Sequence, residues 1–84
     1  MGTKYYIEFV DKNENCNFIM QSKWFTTEKD AEKWLLTNFD HIDFEKLTIF
    51  VMSAEFYTED HYGDIELVKE ITKNYYQKNK ENLK

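Results

Sequence analysis

Arginine and proline are missing from this chain altogether, glycine occurs twice and cysteine once. Each absence excludes something. Arginine is the usual bidentate reader of guanine and the strongest side-chain clamp on phosphate. Without it, and at a net charge of −5, direct binding to nucleic acid is not expected, because that affinity comes from a basic stripe that neutralises phosphates. A lone cysteine, Cys16, allows no intramolecular disulfide, which fits a reducing compartment and predicts a cytoplasmic protein. Gly2 and Gly63 stand far apart, so there is no glycine-rich phosphate loop. The longest near-apolar run, Leu47 to Ala54, falls far short of the roughly 20 residues that cross a bilayer. Lys4 and Glu8 interrupt the only N-terminal stretch that could pass for a signal peptide.

Aromatic residues are abundant instead: seven Phe, six Tyr and two Trp. Each buries about 150–250 Å² when packed. That is enough for one core in a chain whose size predicts burial of only about 60–65% of its unfolded surface. Residues 1–84 are therefore expected to form a single globular domain with frayed last residues. Asn, Lys, Ile, Tyr and Phe, all with AT-rich codons, dominate, while alanine occurs twice. This composition points to an AT-rich bacterial or phage genome.

The periodicities predict an α+β fold: a small antiparallel sheet with one helix across a face, in the order β-β-α-β-β, followed by a C-terminal helical tail. Residues 3–10 alternate, with Tyr5, Ile7 and Phe9 on one face and Tyr6, Glu8 and Val10 on the other. Residues 11–15 read as a turn. Residues 16–25 read as the return strand of a hairpin, with Cys16, Phe18, Met20 and Trp24 sharing a face. Thr27 with Asp30 approximates a capping box, and Ala31, Trp34, Leu35 and Asn38 follow at helical spacing, predicting a helix over 28–38. Residues 46–57 are apolar on both faces in their first half, as in a central strand. For 64–71 a strand and a helix capped by Asp64 both fit; a strand over 64–70 with a helix from about 72 fits better. Tyr6, Val10, Ile19, Phe25, Phe50, Met52 and Phe56 are too many to lie under one short helix. The tail carrying Tyr75 and Tyr76 is expected to cover them, the other option being an interface.

Charge is unevenly distributed. Asp40, Asp43, Glu45, Glu55, Glu59, Asp60, Asp64 and Glu66 fall in a segment with Lys46 as its single base, whereas lysines outnumber acids from Leu67 onward. An extended acidic surface resembles a phosphate track and can occupy a basic groove; the same acids also serve solubility. These eight acids, with Tyr57 and Tyr62 as contact area, are the candidate partner-binding residues.

His41 lies beside Asp40 and Asp43, and His61 beside Asp60 and Asp64. However, the chain has no HExxH, no cysteine pair and no calcium loop, so neither metal nor cofactor is expected. No nucleophile has a base and an orienting group nearby in sequence, which argues against an enzyme.

In general character the chain resembles the short, acidic, aromatic-rich accessory proteins of phages and mobile elements, several of which are inhibitors, including DNA mimics and anti-CRISPR proteins. That resemblance implies an inhibitor of a basic, nucleic-acid-binding host protein. The alternative is a structural or regulatory homodimer joined through the free sheet face.

Overall fold

A computed structural model of the chain describes residues 2–13 and 17–82. Glu14, Asn15 and Cys16, which the sequence places at the hairpin turn and on the return strand, lie outside the described residues. The elements run β1 (Gly2–Asp11), β2 (Phe18–Gln21), α1 (Glu28–Asn38), β3 (Leu47–Phe56), β4 (Glu66–Ile71) and α2 (Lys73–Glu81). The four strands form one antiparallel sheet in the order β2-β1-β3-β4. The expected α+β architecture is thus the observed one, and the ambiguous segment after Asp64 is a strand followed by a helix.

β1 and β3 pair along their whole length, from Gly2 opposite Phe56 to Asp11 opposite Leu47. The core follows from this register. Ile7 and Phe9 of β1, Ile49 and Val51 of β3 and Ile71 of β4 point to one face, where they meet Ala31, Leu35 and Leu36 of α1. Thr27 caps α1 by accepting from the Asp30 N–H at 3.0 Å, and Glu28 and Asp30 sit in the first turn, where the helix dipole favours acids.

β2 departs from simple alternation. Phe9 faces Met20 but Val10 faces Phe18, so Ile19 is an extra residue. Ser22 then takes the ladder over with its side chain, accepting the buried Ile7 N–H at 2.8 Å. Such a bulge shifts the alternation that a sequence pattern assumes. Phe18 and Met20 therefore lie on opposite faces. Trp24 stands over Tyr6 and Phe56, and Phe25 turns inward to Trp34 and the core. Phe18 and Trp24 thus share a face as expected, but it is the helix-free one; Met20 is corrected to the opposite face, and Phe25, expected beside Tyr6, lies opposite Tyr5 on the core side.

The tail does not cover the second sheet face. α2 lies on the same face as α1, and Tyr76 is part of the main core. The reason is length. Eleven residues of helix span about 16 Å, while a ten-residue strand spans about 33 Å, so α1 leaves the Asp11/Leu47 end of its own face unfinished. Ile42, Phe44 and Tyr76 fill it. α1 also ends without a glycine or a basic residue in its last turn, leaving carbonyl groups to be satisfied from elsewhere. α2 supplies the partners. Lys80 Nζ donates to the carbonyls of Leu36 and Phe39 at 2.8 and 2.7 Å, and the Tyr76 hydroxyl donates to that of Phe39.

The second face is consequently bare of helices. It carries its own aromatic cluster, in which Trp24, Phe56 and Tyr62 pack with ring centroids about 5 Å apart, Phe56 stacked on Tyr62 and edge-to-face with Trp24, and Tyr6 packs edge-on against Trp24. Lys4 lies over the Phe56 ring. These side chains bury Tyr6 and Phe56 to 3% and 4% exposure. The molecule is accordingly thin, measuring 36 × 34 × 17 Å.

Candidate functional site

The ten candidate residues separate into two groups at opposite ends of β3. Asp40, Asp43 and Glu45 precede its start; Glu55, Tyr57, Glu59, Asp60, Tyr62, Asp64 and Glu66 gather at its end. Glu55 and Glu66 do not bridge the groups along the sheet. Glu66 pairs with Ser53, and Glu55 with Thr3, so both belong to the second end.

The first group lies among cations. Asp40, Asp43 and Glu45 line a cleft of about 340 Å³ together with His41, Lys73 and Lys80. Lys80 approaches Asp40 at 3.9 Å, and Lys12 Nζ donates to the Phe44 carbonyl at 3.0 Å. Asp43 is partly occupied with its own turn, accepting from the Glu45 N–H at 3.0 Å. A partner approaching this end meets a mixed field of both signs.

The second group is different. The segment from Tyr57 to Asp64 is a tight loop built around Thr58, whose hydroxyl accepts the N–H groups of Asp60 and His61 at 3.3 and 3.1 Å and lies 3.1 Å from His61 Nδ1. The Tyr57 N–H closes the loop on the His61 carbonyl at 2.9 Å, and the Gly63 N–H bonds the Glu55 carbonyl at 2.9 Å. Gly63 allows the Tyr57 ring to fold across the loop, since a Cβ there would sit 2.8 Å from the Tyr57 hydroxyl oxygen. The backbone is thus locally fixed while the side chains of Glu59, Asp60 and Asp64 stay exposed. Tyr57 is 65% and Tyr62 45% exposed. Among the described residues, the ion pairs join Lys69 to Glu28 and Glu32, and Lys80 to Asp40; none involves an acid between 55 and 66. Glu55 accepts only a neutral bond, from the Thr3 hydroxyl at 2.8 Å.

His41 and His61 fall at the two different ends. No group of three or more His, Cys, Asp or Glu within reach of one ion occurs among the described residues. No helix among them is long and apolar enough to cross a membrane.

Sequence reasoning did not single out a polar network on the helix face. Lys69 of β4 reaches Glu28 and Glu32 of α1 at 3.1 and 2.9 Å and donates to the Tyr75 hydroxyl of α2 at 2.9 Å, which itself donates to Glu32. Burial pushes the Glu32 carboxyl up, but the bonds from Tyr75 and Lys69 outweigh it and hold its pKa below the usual carboxylate value. Lys69 is likewise held above its ordinary value, burial being outweighed by Tyr75 and the two glutamates. This network ties three elements together and is structural in character. Lys69 shares the helix-facing side with Ile71, while a bulge between Val51 and Met52 carries Leu67 to the opposite face; the partners of Lys69 on α1 and α2 come to it through the fold.

Comparison of the chain with family models, with curated proteins and with solved structures gave no match.

Proposed function

We propose that this chain is a non-enzymatic protein-binding module whose acidic end, residues 55–66, competes with nucleic acid for a basic, nucleic-acid-binding protein, as a phage or mobile-element inhibitor of anti-CRISPR or DNA-mimic type would. The observation that carries the reading is the contrast between the two ends. The acids at 40–45 are interleaved with lysines, whereas those at 55–66 lack ion-pair partners among the described residues and flank two exposed tyrosines on a fixed loop. Negative charge held on a rigid loop steers a basic partner at long range. Tyrosine adds contact area at small entropic cost. Long-range steering of this kind weakens with salt.

The test is affinity capture from a nuclease-treated lysate of an AT-rich bacterium, eluted by a salt gradient, with wild type beside the triple variant Glu59→Lys, Asp60→Lys and Asp64→Lys. A basic nucleic-acid-binding protein retained by wild type, released by salt and lost by the folded variant supports the proposal. Identical retention by both baits refutes it.

A further inference from the structure

The sheet has an open edge beside the acidic end, and we infer that an extended segment of the partner, alternating basic with apolar residues, adds to that edge as a further strand. The inference rests on the inhibitor reading and deepens it by naming the form the partner takes at the site. β4 is the last strand of the sheet, so one side of its main chain has no strand to pair with. Which groups are left open follows from the ladder. The Tyr57 N–H bonds the His61 carbonyl and the Gly63 N–H bonds the Glu55 carbonyl, around the bridge between Phe56 and Tyr62. The N–H and C=O groups of Glu55 and Tyr57 therefore turn toward the β4 side, and by the antiparallel alternation those of Ser53 and Val51 do the same. Glu66, opposite Ser53, and Lys69, opposite Val51, turn inward to meet them. Leu67 and Glu70 turn outward. No loop, helix or side chain among the described residues bonds the main chain there. An open row of this kind is a template for strand addition.

The side chains select what adds. Asp64, Ile65, Glu66 and Leu67 alternate acid with apolar, and all four are exposed, Ile65 at 43% and Leu67 at 59%. Paired strands meet side chain to side chain at a period of two. A guest strand that sets Lys or Arg beside Asp64 and Glu66 therefore sets its intervening residues beside Ile65 and Leu67, where Val, Ile or Leu suit. The ion pairs among the described residues leave both acids without a basic partner. Lys69, the one base of β4, is held by Glu28 and Glu32 of α1 and does not repel the guest. A second copy of this chain is a poor occupant, because it brings Asp64, Glu66 and Glu70 against the same acids. The bulge at Val68 also interrupts any long flat pairing. It confines the guest to the stretch from the acidic loop to Leu67. So short a contact is weak for an isolated peptide, with a dissociation constant on the order of 0.1–1 mM.

The experiment is an amide-shift titration of the isotope-labelled chain with two peptides of one composition, Lys-Val-Lys-Val-Lys-Val-Lys and Lys-Lys-Lys-Lys-Val-Val-Val. The alternating peptide is expected to shift the Leu67 amide and its neighbours, and to bind at least about fivefold tighter than the block peptide, which keeps the charge and loses the period. Leu67→Pro removes an N–H on the open side only, a position where an edge strand tolerates proline. It is expected to bring the alternating peptide down to the level of the block peptide. If that variant does not fold, the two peptides on wild type decide alone.

Equal binding of the two peptides, or shifts confined to residues 57–62, overturns the inference and leaves the inhibitor reading standing. A folded Leu67→Pro chain that binds the alternating peptide as wild type does overturns it as well. Preference for the alternating peptide, together with identical lysate capture by wild type and the triple lysine variant, supports the strand site and refutes the inhibitor reading instead.

Discussion

Replacing Tyr76 tests whether α2 is a structural member of the fold or an appendage. The ring is 4% exposed and sits in the main core, 5.5 Å from the Phe44 ring between centroids. Truncating a buried aromatic to alanine costs about 3–5 kcal/mol, through lost transfer energy and the cavity left behind. An 84-residue domain holds a total of about 4–12 kcal/mol, so Tyr76→Ala removes a large part of it. Tyr76→Phe separates packing from the hydroxyl. The Phe39 carbonyl keeps the Lys80 bond at 2.7 Å, so no acceptor is orphaned and the cost stays near the low end for a lost hydrogen bond, about 0.5–1 kcal/mol. The assay is urea unfolding followed by far-ultraviolet circular dichroism, supported by thermal melts, where each kcal/mol shifts the midpoint by about 4–8 °C in a domain of this size. If the alanine variant loses less than about 1 kcal/mol, the value of an ordinary substitution, α2 does not complete the core and the account of why it lies beside α1 fails.

Other expectations follow from the same contacts. Ser22→Ala leaves the buried Ile7 N–H without its 2.8 Å acceptor and should cost about 1–3 kcal/mol in urea unfolding. Thr27→Ala removes the cap on Asp30 N–H and should cost about 1 kcal/mol in the same assay. The triple lysine variant at Glu59, Asp60 and Asp64 changes exposed side chains only, so its stability should stay within about 0.5 kcal/mol of wild type; a larger loss would show that the loop is not a separable contact surface. The Glu32 pKa is lowered on folding, so its contribution is present above its ordinary value near 4.5 and is lost as pH falls through the folded value. Burial, then the Glu8 carboxylate, raises Tyr6 to about 12, so its contribution is intact below pH 10 and fades from there to about 12. Melting temperature against pH should therefore fall at both extremes, and Glu32→Gln should flatten the acid limb.

Element identity was legible because local patterns agreed with tertiary needs. The β1 alternation, the Thr27 cap and the doubly apolar start of β3 each have a single physical reading, and the structure follows all three. What escaped the sequence came from breaks in period and from lengths that do not match. The extra residue Ile19 turns Met20 away from the face of Phe18, and a second break at Ser22 returns Trp24 to that face and sends Phe25 inward; no side-chain property announces either. The placement of α2 depends on α1 being about half as long as the strands it covers and on its C-terminal carbonyls needing Lys80. Both are visible only once the two helices and the sheet are measured against each other. For the candidate site, the two-ended layout was readable from the order of loops. That lysines from α2 intermingle with the acids at 40–45 was not, because Lys73 and Lys80 are remote in sequence and arrive there by the fold.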